Sequence, residues 1–404
     1  MEHINGGITA PKGFKANGIH CGIRKNRSKR DLALIISDAI CNAASVYTTN
    51  LVKGAPLVVT KRNLEDGKAQ AVICNSGNAN TCNANGIEIA NSMCSLVSEY
   101  TGIKMNDVIV ASTGVIGQPM SIDPIKNGMA ALCEGLTSDG SAYASEAIMT
   151  TDTRVKEIAV RFTVGGHVCT MGGIAKGSGM IHPDMATMLV FITTDTAISS
   201  KMLKIALSDN IQDTFHMISV DGDTSTNDMV SVLANGIAGN DEINENNADY
   251  RIFYEALNEV MMYLCRMIAK DGEGATKLIT CDVIHGKDKD TCRTVAKSVI
   301  CSSLLKAAMF GCDANWGRVL CAIGYSKCDV DVNKIDVSFA SKAGSIDVCK
   351  NGAGVGFSEA DAKTILKQED ITIKIDLNAG AFFACAYGCD LTYDYVKING
   401  DYRT

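Results

Sequence analysis

Residues 172–194, GGIAKGSGMIHPDMATMLVFITT, run from a glycine-rich segment into a short, unbroken apolar stretch. Gly172, Gly173, Gly177 and Gly179 allow tight turning and positive φ, and a single lysine, Lys176, sits among them. Residues 185–192, MATMLVFI, are of strand rather than helix length and predict a buried strand. Thr187 is the one hydroxyl in that run. A β-branched Thr suits a strand, and its hydroxyl can bond a neighbouring carbonyl, so it reads as a packing residue. It also reads as a nucleophile delivered at a strand end by a cleavable loop.

The 404 residues around this segment suffice for two or three domains with sizeable cores. Apolar residues make up 46% and charged residues 21%, the balance of an ordinary globular enzyme. A net charge of −7 argues against nucleic acid as the main partner. The basic cluster RKNRSKR, residues 24–30, runs directly into DLALIISD and reads as a solvated turn before a strand. The 17 cysteines are odd in number, lack C-x-x-C spacing and lie in a chain too long for a disulfide scaffold. They read as reduced, mostly buried fillers of space. No apolar h-region follows Met1 and no run of about 18 apolar residues occurs, so a cytoplasmic chain with no membrane partner is expected.

From the N-terminus, GGITAPKGFKANGIHCGIR, DLALIISD, ASVYTTN and APLVVTKRN are expected as strands and turns. Residues 71–74 form a buried strand entering a polar loop, and residues 87–100 carry Ile89, Met93, Leu96 and Val97 at helical spacing. That unit has the form of an anion site, but neither G-x-G-x-x-G nor a P-loop is present; Lys176 is followed by Gly177 and Ser178. A second strand, residues 108–110, leads into the turn Ser112-Thr113-Gly114. Ser121 or Asp123 then caps a helix with Pro124 in its first turn. KEIAVRFTV and HVCTMGGIAKG read as strands, and Ser199 or Ser200 caps a helix carrying Met202, Ile205 and Ile211. Asp221, Asp223 and Asp228 lie with Thr224, Ser225 and Thr226 between two strands. A D-x-D cluster suggests metal, but the EF-hand pattern is not met, and a turn of self-bonded Asp and Thr side chains is the better reading. Residues 248–269 form an amphipathic helix stopped at Gly272 and Gly274, with Glu273 at the stop. The alternating C-terminal residues predict a tail docked in a sheet.

The segment KGSGMIHPDMATML resembles the signature of the ornithine acetyltransferase family, the bifunctional glutamate N-acetyltransferases of arginine biosynthesis. The similarity extends from GGITAPKGF to the last residue and includes STGVIG, VDGDTSTND, FGCDANWGR and GCDLTYDYVKIN. Asp184 departs from it, standing where members usually have Asn. The resemblance implies an α/β fold of layered sheets and helices around a self-generated N-terminal threonine nucleophile. It places a self-cleavage between Ala186 and Thr187, giving an α chain, 1–186, and a β chain, 187–404, assembled two and two. It also implies an oxyanion hole at Thr113 and Gly114, and substrate contacts at Thr150, Lys176, Thr187, Glu273, Asn399 and Thr404.

The chemistry is coherent with those residue types. A Thr hydroxyl needs a base, and none of the six histidines forms an evident triad with an acid. Cleavage would free an α-amine titrating near pH ~7.7–8.0, within reach of its own hydroxyl directly or through one water. The implied reaction transfers acetyl from N2-acetylornithine to glutamate through an acetyl-Thr187 ester, without metal or cofactor. Acetyl-CoA as a co-substrate stays open. A zwitterionic substrate needs a cation and an anion; Lys176 is assigned to the carboxylate and Glu273 to the side-chain ammonium, with the exchange of roles left open. A self-cleaving aminopeptidase or amidase and a non-catalytic small-molecule binding protein are the alternatives.

Overall fold

The structure, a computed structural model, describes residues 1–182 and 188–401. Ala186, Thr187 and Thr404 lie outside the described residues, as does Asp184. Two sheets organise the chain. At the centre of the first, Leu32–Tyr47 pairs with Met229–Ala234. On one side the order continues through Leu189–Thr194, His167–Lys176 and Lys156–Val164 to Glu2–Ile4; on the other it continues through Lys68–Asn75 to Val108–Ser112, and Phe14–Ile19 joins Leu32–Tyr47. The second sheet runs Ala353–Gly354, Gly344–Lys350, Asp336–Ser341, Asp370–Asp376, Leu278–Gly286, Phe382–Cys389, Ile218–Ser219.

Of the buried strand expected at residues 185–192, residues 185–187 lie outside the described residues, and the part from Leu189 is present in the strand Leu189–Thr194. Its alternate residues enter different cores: Val190 and Ile192 pack with the helices Ser200–Asn210 and Ala248–Lys270, while Leu189 and Phe191 pack with the helix Ser141–Ile148. Both faces are therefore covered, which is why the run is apolar without alternation. The long helix buries Phe253, Leu257, Val260, Met261, Leu264 and Ile268, the stripe read from its periodicity. Helices cover the second sheet likewise, Lys289–Cys301 supplying Val295, Ala296 and Val299 to its core. The layered α/β architecture is the expected one. All 17 cysteines are free, nine of them buried. Among the described residues no helix is long and apolar enough to cross a membrane.

Several local expectations are corrected. APLVVTKRN is the helix Ala55–Asn63, not a strand. Pro56 sits in its first turn, where a missing N–H is harmless, and Thr60 Oγ1 bonds the backbone of Val110 as donor and acceptor, covering the sheet's edge strand. The helix Asp123–Glu134 has no side-chain cap; Ser121 instead bonds Asp123. Ser199 does cap its helix, accepting from Met202 N. DLALIISD and ASVYTTN are one strand with a register shift between Ile36 and Cys41. The C-terminal tail is not a strand to its end: after Phe382–Cys389 the chain turns into the helix Tyr393–Asp401.

Candidate active site

The turn after Val108–Ser112 is held against the neighbouring strand's exit. Thr113 N donates to Asn75 O at 2.9 Å and Ser112 Oγ to Asn75 Oδ1 at 2.6 Å. Gly114 has φ +131°, and a Cβ there would stand 2.4 Å from the Gly77 carbonyl carbon. Only glycine permits both the dihedral and the approach. Thr113 is nearly buried and faces Lys176, the last residue of His167–Lys176, which pairs opposite Leu189. Lys176 Nζ lies 3.2 Å from Thr113 Oγ1. An ammonium can only donate, so the threonine oxygen accepts, and its own hydrogen is left to point elsewhere.

The glycines leading to the apolar run work differently from the expectation. Gly172 and Gly173 lie within the strand, and none of Gly172, Gly173, Gly177 and Gly179 has positive φ. Gly179 lies against the Glu273 carboxyl: a Cβ there would stand 2.4 Å from it, so any side chain at this position would displace that carboxyl. Glu273 is correspondingly nearly buried, at 8% exposed. Its backbone N–H bonds Ser178 O at 3.0 Å, and Asn399 Nδ2 donates to Oε2 at 2.7 Å. The C-terminal helix that carries Asn399 has no buried residue of its own. Polar contacts to the site hold it, among them Tyr395 Oη to Asp221 Oδ2 at 3.4 Å.

Beneath these groups lies a buried charge network that sequence reasoning missed. Lys156, fully buried, bonds Asp152 at 2.7 Å and Asp271 at 2.5 Å. Asp152 also accepts from Thr150 N at 2.9 Å and Gly177 N at 2.7 Å. Burial alone would raise the Asp152 carboxyl, but the Lys156 and Lys176 ammoniums and these hydrogen bonds hold it well below the usual carboxylate range. One ionised carboxylate thus locates Thr150 and the chain after Lys176, while Asp271 precedes Glu273 by two residues. The i,i+4 spacing of Asp152 and Lys156 was visible; the arrival of Asp271 was not.

The 220–228 segment crosses from the second sheet to the first. Its acids are not chiefly self-bonded. Asp221 accepts from Met180 N at 2.7 Å and Ile181 N at 2.8 Å, securing Met180 at φ +56°. Asn227 donates to Ala79 O at 2.6 Å and Ser112 O at 2.9 Å, tying this crossing to the Thr113 turn. Asp228 is buried with no partner for Oδ2 among the described residues; burial pushes its carboxyl well up, although Lys176 opposes this. Among the described residues no group of three His, Cys, Asp or Glu side chains could hold a metal ion.

Thr113, Gly114, Thr150, Lys176, Glu273 and Asn399 all line one pocket of about 140 Å³. That is below the roughly 300–1,000 Å³ of drug-sized ligand sites, so it suits a small metabolite. Lys176 and Glu273 form no ion pair with each other or with any other described residue. At longer range the Lys176 ammonium acts on the Asp152 and Asp228 carboxyls, whereas the Glu273 carboxylate accepts from Asn399. A ligand carrying both a carboxylate and an ammonium would give each a direct ion-pair partner.

Residues 15–404 match the family model described as the ArgJ family. The arginine biosynthesis bifunctional protein ArgJ of Caldanaerobacter subterraneus subsp. tengcongensis is 49% identical, with all of both chains covered. Its namesake from Symbiobacterium thermophilum is 50% identical, again over 100% of each. A crystal structure of the Bacillus halodurans protein of that name is 45% identical and superposes with a TM-score of 0.51, covering 54% of this chain and 100% of that one.

Proposed function

Because this chain belongs to the ArgJ family, we propose that it transfers acetyl from N2-acetylornithine to glutamate through an ester on Thr187. The chain cuts itself between Ala186 and Thr187, and the freed amine serves as base. The Thr187 hydroxyl attacks the acetyl carbonyl, and its proton passes through that amine to the departing ornithine nitrogen. The glutamate amine then attacks the ester, and the Thr187 oxygen recovers a proton. Each step passes through a tetrahedral oxyanion. Thr113 is suited to receive it, because the Lys176 bond leaves its hydroxyl hydrogen free, and Gly114 N–H is the second donor. The observation that carries the reading is the pair of opposite charges lining the pocket, Lys176 and Glu273, neither of them in a direct ion pair with a described residue. The processed chains assemble two and two in the cytoplasm.

The test is an assay with acetylornithine and glutamate that measures acetylglutamate and acetate separately. Acetylglutamate formation is expected. Acetate release without it would move the chain to the aminopeptidase and amidase class. The same assay with acetyl-CoA in place of acetylornithine decides whether a second donor is used.

The oxyanion role has its own signature. Preorganised donors of this kind are worth about 3–4 kcal/mol each. Thr113→Ala is therefore expected to lower kcat about 10²-fold with a much smaller change in KM. An unchanged kcat would reduce Thr113 to a turn residue.

A further inference from the structure

Residues 25–29 of the basic cluster are exposed, as a solvated turn should be, but Arg24 turns inward. Its Nη2 donates to the Thr150 carbonyl at 3.0 Å. Its Nη1 is buried without a hydrogen-bond partner among the described residues. Its Cγ lies 2.9 Å from where a Cβ on Gly77 would stand. Gly77, at φ +96°, carries the contact onward: its carbonyl accepts from Val115 N at 3.4 Å, and its backbone occupies the space beside Gly114. One arginine side chain therefore backs two walls of the pocket, its γ-methylene behind the Thr113–Gly114 turn and its guanidinium on the Thr150 segment.

The loop that presents Arg24 is itself fixed. Asp31 is fully buried, and its carboxylate accepts from Cys21 N at 2.6 Å, Gly22 N at 3.2 Å and Arg24 N at 2.9 Å. The Asp31 carbonyl accepts from Ser76 N at 2.9 Å, locking this loop to the residue before Gly77. Leaving a buried donor unpaired costs about 1–3 kcal/mol. A lysine could place the same methylene against Gly77, but its freely rotating ammonium would lack the planar, directed donor that reaches the Thr150 carbonyl.

We propose that Arg24 is a positioning residue for acetyl transfer. It braces the oxyanion turn through Gly77 while holding the Thr150 carbonyl, so the oxyanion donors and the substrate-binding wall keep one spacing. The assignment rests on the acetyl-transfer reading above. Misplacement of reacting groups by about 1 Å can cost 10²-fold, which sets the scale of the effect.

The experiment compares wild type, Arg24→Ala and Arg24→Lys for kcat, KM and thermal midpoint, with and without added N-ethylguanidinium. Arg24→Ala is expected to lose on the order of 10–10²-fold in kcat with a few-fold change in KM. Arg24→Lys stays low because it keeps the charge and the methylene against Gly77 but loses the directed donor to the Thr150 carbonyl. N-ethylguanidinium raises the Arg24→Ala rate several-fold and leaves Thr113→Ala unchanged. Wild-type kcat and KM in either Arg24 variant overturn the assignment, as does an activity loss that follows the thermal midpoint and resists rescue. If Arg24→Ala does not fold, Arg24→Lys decides: a folded, slow protein supports the role and full activity ends it. Parity of the variants with an active wild type removes Arg24 alone; a wild type that transfers no acetyl removes the functional reading and Arg24 with it.

Discussion

Thr187→Ala protein is expected to remain a single chain of 404 residues, whereas wild type separates into 1–186 and 187–404. Edman degradation of the larger wild-type fragment should begin Thr-Met-Leu-Val. On this proposal the hydroxyl is needed twice, first to attack the Ala186 carbonyl and then to carry acetyl, so acetyl transfer should fall by on the order of 10⁴-fold or more. Both flanks of the bond are held. Asp221 fixes Met180 and Ile181 on one side, and Met229 N donates to Met188 O at 2.8 Å on the other. Thr187→Ser keeps hydroxyl and amine and should still process. Cleavage at another bond, or processing of the alanine variant, would defeat the proposal.

Substrate charge gives the second large effect. If Glu273 receives the δ-ammonium of acetylornithine, then acetylnorvaline, which lacks it, leaves a nearly buried carboxylate with Asn399 as its one described hydrogen-bond partner. Sites built around a polar group reject analogues that leave it unpaired. Acetylnorvaline should therefore be a poorer donor by about 10²–10⁴-fold in kcat/KM. Glu273→Gln should shrink that ratio mainly by losing acetylornithine. Lys176→Met should weaken both donors alike, because both carry the α-carboxylate. It should lower kcat as well, since Lys176 also orients the Thr113 hydroxyl. Two donors measured on these three proteins separate the roles. A Glu273→Gln enzyme with undiminished preference for acetylornithine would pass the ammonium to another acid, and Asp221, bonded to the backbone of the pocket residue Met180, would be the next to replace.

Elements whose pattern is local were legible in the chain. The run that becomes Leu189–Thr194 and the stripe from Phe253 to Ile268 announce themselves, because a strand buried on both faces is continuously apolar and a half-buried helix repeats every 3.6 residues. APLVVTKRN was misread because a short apolar run fits a buried helix as well as a strand, and the contact that decides, Thr60 on the edge strand, is 50 residues away. The helix Tyr393–Asp401 left no trace, since a helix that buries no residue has no apolar period.

The kinds of groups at the site, a threonine, a lysine and a glutamate within a recognisable signature, were determined by the sequence alone. Their partnerships were decided only in three dimensions. Lys176 meets Thr113 across 63 residues, Asp271 meets Lys156 across 115, and Arg24 meets Thr150, as Asn399 meets Glu273, across 126. Such pairs carry no spacing rule, because hydrogen bonding and charge act over a few ångströms while sequence patterns report only neighbours along a helix or strand. Packing of the two sheets brings the groups within that range, and the same packing leaves Lys176 and Glu273 in one pocket without pairing them.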